Sequence, residues 1–195
     1  MLVRHAEPTE TARGRCYGRL DVELSAAGSA QGRRLGARLA GEPVAAVVSS
    51  PRRRAVDTAG AIAAPHGLAV DVLDDLRELN FGELEGRTYE EIAESRPELY
   101  AQWMEAPTTV RFPGGESYHD LHARVLHAVA GLRESFDGRV VVAVTHGGVV
   151  RAVLADALGM PAARIFRIAL DTASLTRVEW IEGVPIVRSV NLAAG

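Results

Sequence analysis

Two histidines in this 195-residue chain stand where apolar runs end: His5 follows Leu2-Val3 with Arg4 between, and His146 follows the β-branched run Val140–Val144. A third polar cluster, Ser50 to Arg54, closes the run Val44–Val48. A neutral imidazole can attack an electrophile or carry a proton, and a guanidinium fork matches the oxygens of phosphate or carboxylate. Two imidazoles and two guanidiniums brought together repel one another unless an anion sits among them. Phosphate suits that need, because its tetrahedron of oxygens accepts several charge-assisted hydrogen bonds at once. Taken singly, each histidine reads more readily as a structural hydrogen-bonding group in a turn than as a catalyst. Such chemistry also needs a proton donor, and Glu78, in Arg77-Glu78-Leu79-Asn80-Phe81-Gly82, ends a third strand-like stretch. There it could protonate a leaving oxygen and later deprotonate water, although its spacing alone fits an ordinary surface glutamate.

All 22 basic residues are arginine. Without lysine there is no Schiff-base nucleophile, pyridoxal phosphate anchor, Walker-A lysine or Ser-Lys dyad. The net charge of −3 argues against a nucleic-acid footprint, which needs a basic face. A single cysteine, Cys16, excludes an internal disulfide and makes a reducing cytoplasm the expected location. No apolar run approaches the ~20 residues that span a bilayer, so no membrane partner is expected. His119 and His122 are spaced i, i+3 but lack an acidic or cysteine partner at metal-ligand spacing, so they read as an exposed helix face, as does His127. Cys16 reads as a packing residue.

The elements that must position these groups alternate. Leu2-Val3, Val44–Val48, Val70–Val72 and Val140–Val144 are predicted strands, the first one short. Ser25 predicts an N-cap for a helix to Leu39, Arg52–Ala64 a second helix, and Ser117 the cap of a helix whose apolar face is Leu121, Val125, Leu126, Val129 and Leu132. Val149–Leu158 predicts another helix, and Leu175–Val178 with Val184–Val190 a hairpin about Gly183. Between Leu76 and Pro113 the pattern weakens into two short amphipathic pieces, Tyr89–Glu94 and Glu98–Met104, that hold several of the few aromatics. The fold expected is α/β: a three-layer α/β/α sandwich about a mostly parallel sheet, as one domain over 1–195, with residues 83–115 as a small helical cap. Parallel sheets bind ligands beyond the carboxyl ends of their strands, where all three polar clusters fall. Tyr89, Tyr100 and Trp103 would line a lid over the leaving group or hold the cap together.

Four stretches in order, Leu2–Glu7, Ser49–Ala59, Glu78–Gly86 and Val144–Gly148, resemble the signatures of the histidine phosphatase superfamily, in its phosphoglycerate mutase-like branch, over nearly the whole chain. The resemblance implies roles. His5 matches the nucleophile that becomes a phosphohistidine; Arg4 and Arg54 match the phosphate clamps; His146 matches the second phosphate-holding histidine; Glu78 matches the general acid. These make a catalytic set that requires no metal or cofactor. Arg52 and Arg53 fall at variable positions and are expected to face solvent. Thr11 stands where many relatives place an asparagine on phosphate, and Tyr17, Gly18 and Gly147 are further expected phosphate or substrate contacts. Ala6 replaces the family's common glycine.

Phosphoglycerate mutases are similar in the core but are longer after the acid, bring lysine to a second phosphate, and carry Asn where this chain has Gly148. A phosphatase is therefore favoured over a mutase. The stretch Phe112–Ser117 followed by an Arg124-containing helix is similar to small bacterial phosphatases of the α-ribazole phosphatase type and their sugar-phosphate relatives. Glu116 and Ser117 would border the pocket or cap that helix. The implied activity is hydrolysis of a small phosphorylated metabolite, such as α-ribazole 5′-phosphate or a sugar phosphate, with a homodimer allowed. An inactive phospho-ligand binding module is the alternative outside enzymes.

Overall fold

A computed structural model describes residues 1–193. The apolar runs become β1 (Leu2–Arg4), β2 (Val44–Ser49), β3 (Val70–Val72) and β4 (Val140–Thr145), all parallel, joined by the antiparallel β5 (Leu175–Ile181) and β6 (Val184–Leu192). The sheet order is β3-β2-β4-β1-β5-β6. β4 lies between β2 and β1, which is why Val142 and Val144 are fully buried and why its sequence lacks the polar alternation of a one-faced strand. The closing hairpin turns through Glu182 and Gly183, both at positive φ, as tight hairpin turns require.

Helices cover both faces. On one, Leu35 and Leu39 of α1 (Ala26–Leu39) and Ala55, Ala59 and Ile62 of α2 (Arg53–Ala63) pack on Val3, Val47, Val142 and Val144. On the other, Leu121 and Val125 join Val149, Val150, Val153 and Leu154. The first two belong to α5 (Tyr118–Ser135) and the rest to α6 (Gly147–Ala157). Ser25 caps α1 by accepting from Gly28 N–H. Ser117 caps α5 in a reciprocal box with Asp120, which holds the aspartate's carboxyl down at about 2 through hydrogen bonds from Ser117. The arrangement is the expected α/β sandwich with a mostly parallel sheet. α6 begins two residues before the predicted Val149, because His146 already serves as its N-cap residue.

The segment after Glu78 folds into α3 (Tyr89–Ser95) and α4 (Pro97–Glu105) around a separate apolar cluster of Cys16, Leu84, Ile92, Trp103, Val110 and Phe112. Tyr89 stacks on Trp103 at 5.3 Å and Phe112 meets it edge-on at 5.1 Å. Backbone bonds fasten this cap to the loop after β1: Cys16 N–H donates to Arg87 O and Gly86 N–H to Cys16 O. Burial, then the nearby Glu85, pushes the Cys16 thiol up to about 12, so it packs as a thiol. Among the described residues, no helix is long and apolar enough to cross a membrane.

Candidate active site

Three parallel strands stop at one edge of the sheet, and each delivers a polar residue there. β1 ends in Arg4 and His5, whose N–H bonds to Thr145 O at 2.8 Å. β2 leads through Ser50 to Arg54 in the first turn of α2, and β4 ends at His146, the N-cap residue of α6. His5, Arg54 and His146 are 2%, 0% and 0% exposed, so their polar atoms must find partners within the protein or in a ligand.

Most of those partners are protein atoms, and they fix the tautomers. His5 Nδ1 lies 2.8 Å from Ala6 O, which can only accept; Nδ1 therefore carries the hydrogen and Nε2 keeps a free lone pair. Arg54 Nη2 donates to His146 Nδ1 at 3.2 Å, so the hydrogen of that ring is on Nε2, which donates to Ser50 Oγ at 2.7 Å. The two imidazoles stand 5.2 Å apart. Burial, then the Arg54 charge, lowers His5 to about 3, with the Ala6 hydrogen bond opposing. His146 is held well below its ordinary value by burial, then by Arg54 and His5. Both rings are therefore neutral at pH 7.

The guanidiniums of Arg4 and Arg54 each keep one donor without such a partner. The Nε atoms of Arg4 and Arg54 are buried and unbonded, although Arg4 Nη1 donates to Leu170 O and Arg54 donates to Tyr17 O, Gly18 O and Leu20 O. A buried cationic N–H without an acceptor is costly and marks where an anion would be accepted. Glu78 faces the same edge. Its Oε1 accepts from Leu79 N–H at 2.9 Å and its Oε2 from Gly148 N–H at 3.1 Å, in the first turn of α6. A Cβ on Gly148 would lie 2.3 Å from Glu78 Oε1, so glycine is what lets the carboxylate sit there.

The remaining expected residues divide. Tyr17 is half-buried, edge-on to His5 with ring centroids 6.4 Å apart, and its ring lies 5.0 Å below the Arg54 guanidinium. Gly18 is buried so tightly that a Cβ would fall 1.8 Å from Leu79 O. Gly147 lies beside Arg4, with room for a Cβ only 3.7 Å from Arg4 Nε. Thr11 is not brought in: it is exposed, and its hydroxyl pairs with Thr9 Oγ1 at 2.9 Å. Ala6 is fully buried and stays outside the left-handed φ region, so its methyl adds no backbone strain. Arg53 is exposed as expected and pairs with Glu23, while Arg52 faces solvent only in part. It precedes the first helical turn, is half-buried, and its Nε is buried without a partner.

Some participants escaped sequence reasoning. Ser50, seen in sequence only as part of a polar cluster, accepts from His146 Nε2, and Thr58 Oγ1 accepts from Ala6 N–H while donating to Arg54 O. Arg151, one turn into α6, places Nη1 only 3.0 Å from where a Gly147 Cβ would be. Its position four residues after Gly147 was the available signal, since i, i+4 side chains share a helix face. Among the described residues, no group of three or more His, Cys, Asp or Glu gathers as a metal site; His119 and His127 are exposed and His122 packs on Tyr118.

An imidazole with a free Nε2, a second imidazole, guanidinium Nε–H donors without acceptors and a carboxylate thus meet at one sheet edge. The chain belongs to the histidine phosphatase superfamily (branch 1), which it matches over residues 1–193. It is 37% identical over 195 residues to a bifunctional protein of Mycobacterium tuberculosis, covering 98% of this chain but 53% of that one, so it spans about half that relative's length. It is 32% identical to phosphoserine phosphatase 1 of Hydrogenobacter thermophilus, over 98% of this chain and 91% of the relative. The solved structure of a mycobacterial glucosyl-3-phosphoglycerate phosphatase superposes with a TM-score of 0.87 at 32% identity, covering 98% and 97% of the two chains.

Proposed function

We propose that this chain is a metal-independent phosphomonoesterase acting on a small phosphorylated metabolite through a phosphohistidine on His5. The observation that carries this is the free Nε2 of His5, set by the Ala6 carbonyl, beside two buried Nε–H donors of Arg4 and Arg54 that lack acceptors. In the first step Nε2 attacks phosphorus, the bond to the leaving oxygen breaks, and protonated Glu78 gives that oxygen its proton. In the second, the Glu78 carboxylate takes a proton from water. The water oxygen attacks phosphorus, the P–N bond breaks, and His5 is restored with release of inorganic phosphate. Arg4, Arg54 and His146 hold the phosphoryl oxygens through both steps, so electrostatic stabilisation is in place before the charge develops.

Gly148 in place of a mutase-type Asn, and the absence of any lysine to hold a second phosphate, support hydrolysis over mutase chemistry. For the leaving group, α-ribazole 5′-phosphate, sugar phosphates, phosphoserine and glucosyl-3-phosphoglycerate are the compounds to screen first. p-Nitrophenyl phosphate turnover is expected to survive EDTA and to fall on the order of 10⁴-fold or more in His5→Ala, with the acid-labile phosphoenzyme lost. No turnover of any phosphomonoester by well-folded protein would leave the binding-module reading. Interconversion of 3- and 2-phosphoglycerate in place of hydrolysis would establish the mutase.

A further inference from the structure

Glu78 lies in a stretch, residues 77–81, that has neither helix nor strand to hold it. Its carboxylate is seated by two backbone N–H groups, but its backbone must be fixed by something else. That support comes from α5. Arg124 places all five guanidinium hydrogens within the protein: Nη1 donates to Asp75 O and Arg77 O, both at 2.7 Å, and Nη2 donates to Glu78 O at 3.1 Å. Nη2 also donates to Glu116 Oε2 at 2.9 Å, and Nε donates to Glu116 Oε1 at 3.0 Å. None of its five donors remains for a ligand.

Glu116 closes the bracket from the other side. Oε2 accepts from Asn80 N–H and Oε1 from Arg77 Nη2, each at 3.0 Å. Burial pushes the Glu116 carboxyl up, but the Arg124 hydrogen bond and charge, with the Asn80 N–H and Arg77, outweigh it and hold the group below its usual value. The side chains of Arg124 and Glu116 are 10% and 14% exposed, so this is a desolvated, bidentate pair rather than a surface ion pair. Thr145 Oγ1, adjacent to His146, donates to Leu76 O at 2.6 Å and ties the same segment to the end of β4.

We infer that Arg124 and Glu116 are positioning residues for the general acid: they clamp the backbone at 75, 77, 78 and 80 so that Glu78 reaches the leaving oxygen. This deepens the proposed function and rests on Glu78 being the acid. A merely structural pair would affect every substrate alike. A pair that positions a proton donor matters most where the leaving group needs the proton, as an alkoxide does, and least where it leaves well, as nitrophenolate does.

The test compares kcat/KM for glycerol 2-phosphate and p-nitrophenyl phosphate in wild type, Glu78→Gln, Arg124→Met and Glu116→Gln, with thermal melting to verify folding. Arg124→Met is expected to lower kcat/KM for the alkyl ester on the order of 100-fold and for the aryl ester less than about fivefold. Glu116→Gln keeps the side-chain shape and is expected to show the same bias at about tenfold, so it carries the test if Arg124→Met does not fold. Arg124→Lys restores charge without the fork and is expected to rescue little. Equal losses for both esters in the folded variants, or none, overturn the positioning role while Glu78→Gln still discriminates. If Glu78→Gln itself shows no leaving-group bias, the acid assignment falls and the positioning role with it.

Discussion

The phosphate end and the cap are built in different ways. His5, Ser50 and His146 are each delivered by the end of a buried parallel strand, so their positions are set by sheet register and by helices packed on both faces. The cap has no strand; two short helices enclose an aromatic cluster around Trp103 and are fastened by the loop after β1. The contrast teaches where each property resides. In the proposed function, phosphoryl chemistry stands on the most over-determined part of the fold and leaving-group recognition on the cap, which the loop after β1 joins to it.

Substituting Gly148 would break the phosphate end from within. Gly148→Ala removes a helix glycine, which favours α6 by about 0.5–1 kcal/mol, yet its methyl would meet Glu78 Oε1. Activity is expected to fall on the order of 100-fold with melting temperature unchanged or raised. Full activity in that variant would mean the carboxylate seat is irrelevant to turnover.

Trp103→Ala addresses the cap. Losing a buried tryptophan costs about 3–5 kcal/mol locally, so proteolytic cleavage between residues 87 and 111 is expected to accelerate at least about tenfold. Inhibition by vanadate, which reports the phosphate end, is expected to move less than about threefold. If vanadate binding weakens in step with cleavage, the two regions are not separable.

Acid gives the smallest effect and sharpens the contrast. Burial and the Arg54 charge lower His5 to about 3 in the folded chain against ~6.5 when unfolded, so between those values the unfolded chain holds more protons. Stability is therefore complete above about pH 6.5 and is lost as pH falls toward 3, with His146 acting in the same direction. The melting temperature is expected to drop on the order of 5 °C between pH 7 and 5, and His5→Gln is expected to flatten that slope. Parallel slopes would show that the buried imidazole is not the source.

Sequence patterns made the sheet edge legible because it follows from short-range rules. An unbroken apolar run ending in a polar cluster is a parallel strand meeting a ligand edge, and both His5 and His146 were found that way. The consecutive Arg52, Arg53 and Arg54 show the limit of such rules. Helical periodicity separates exposed Arg53 from buried Arg54, but Arg52 precedes the first turn, where periodicity has no hold. The support of Glu78 was illegible for another reason. Arg124 meets it across 46 positions of sequence, and nothing local to either residue signals the contact. Thr11 shares only a sequence position with the asparagine of relatives, and its hydroxyl pairs with Thr9.

Residues 17 to 20 belong to both regions. Their carbonyls aim Arg54, while Gly18 lies against the Leu79 carbonyl beside the acid and Glu85 Oε1 accepts from Arg19 N–H. A leaving group that shifts this loop changes the affinity of the pocket for phosphate, and thermodynamic reciprocity requires phosphate to change the affinity for the leaving group by the same factor. Under the proposed hydrolysis, the carbonyls that aim Arg54 would therefore link departure of the alcohol to the hold on the phosphate it leaves behind.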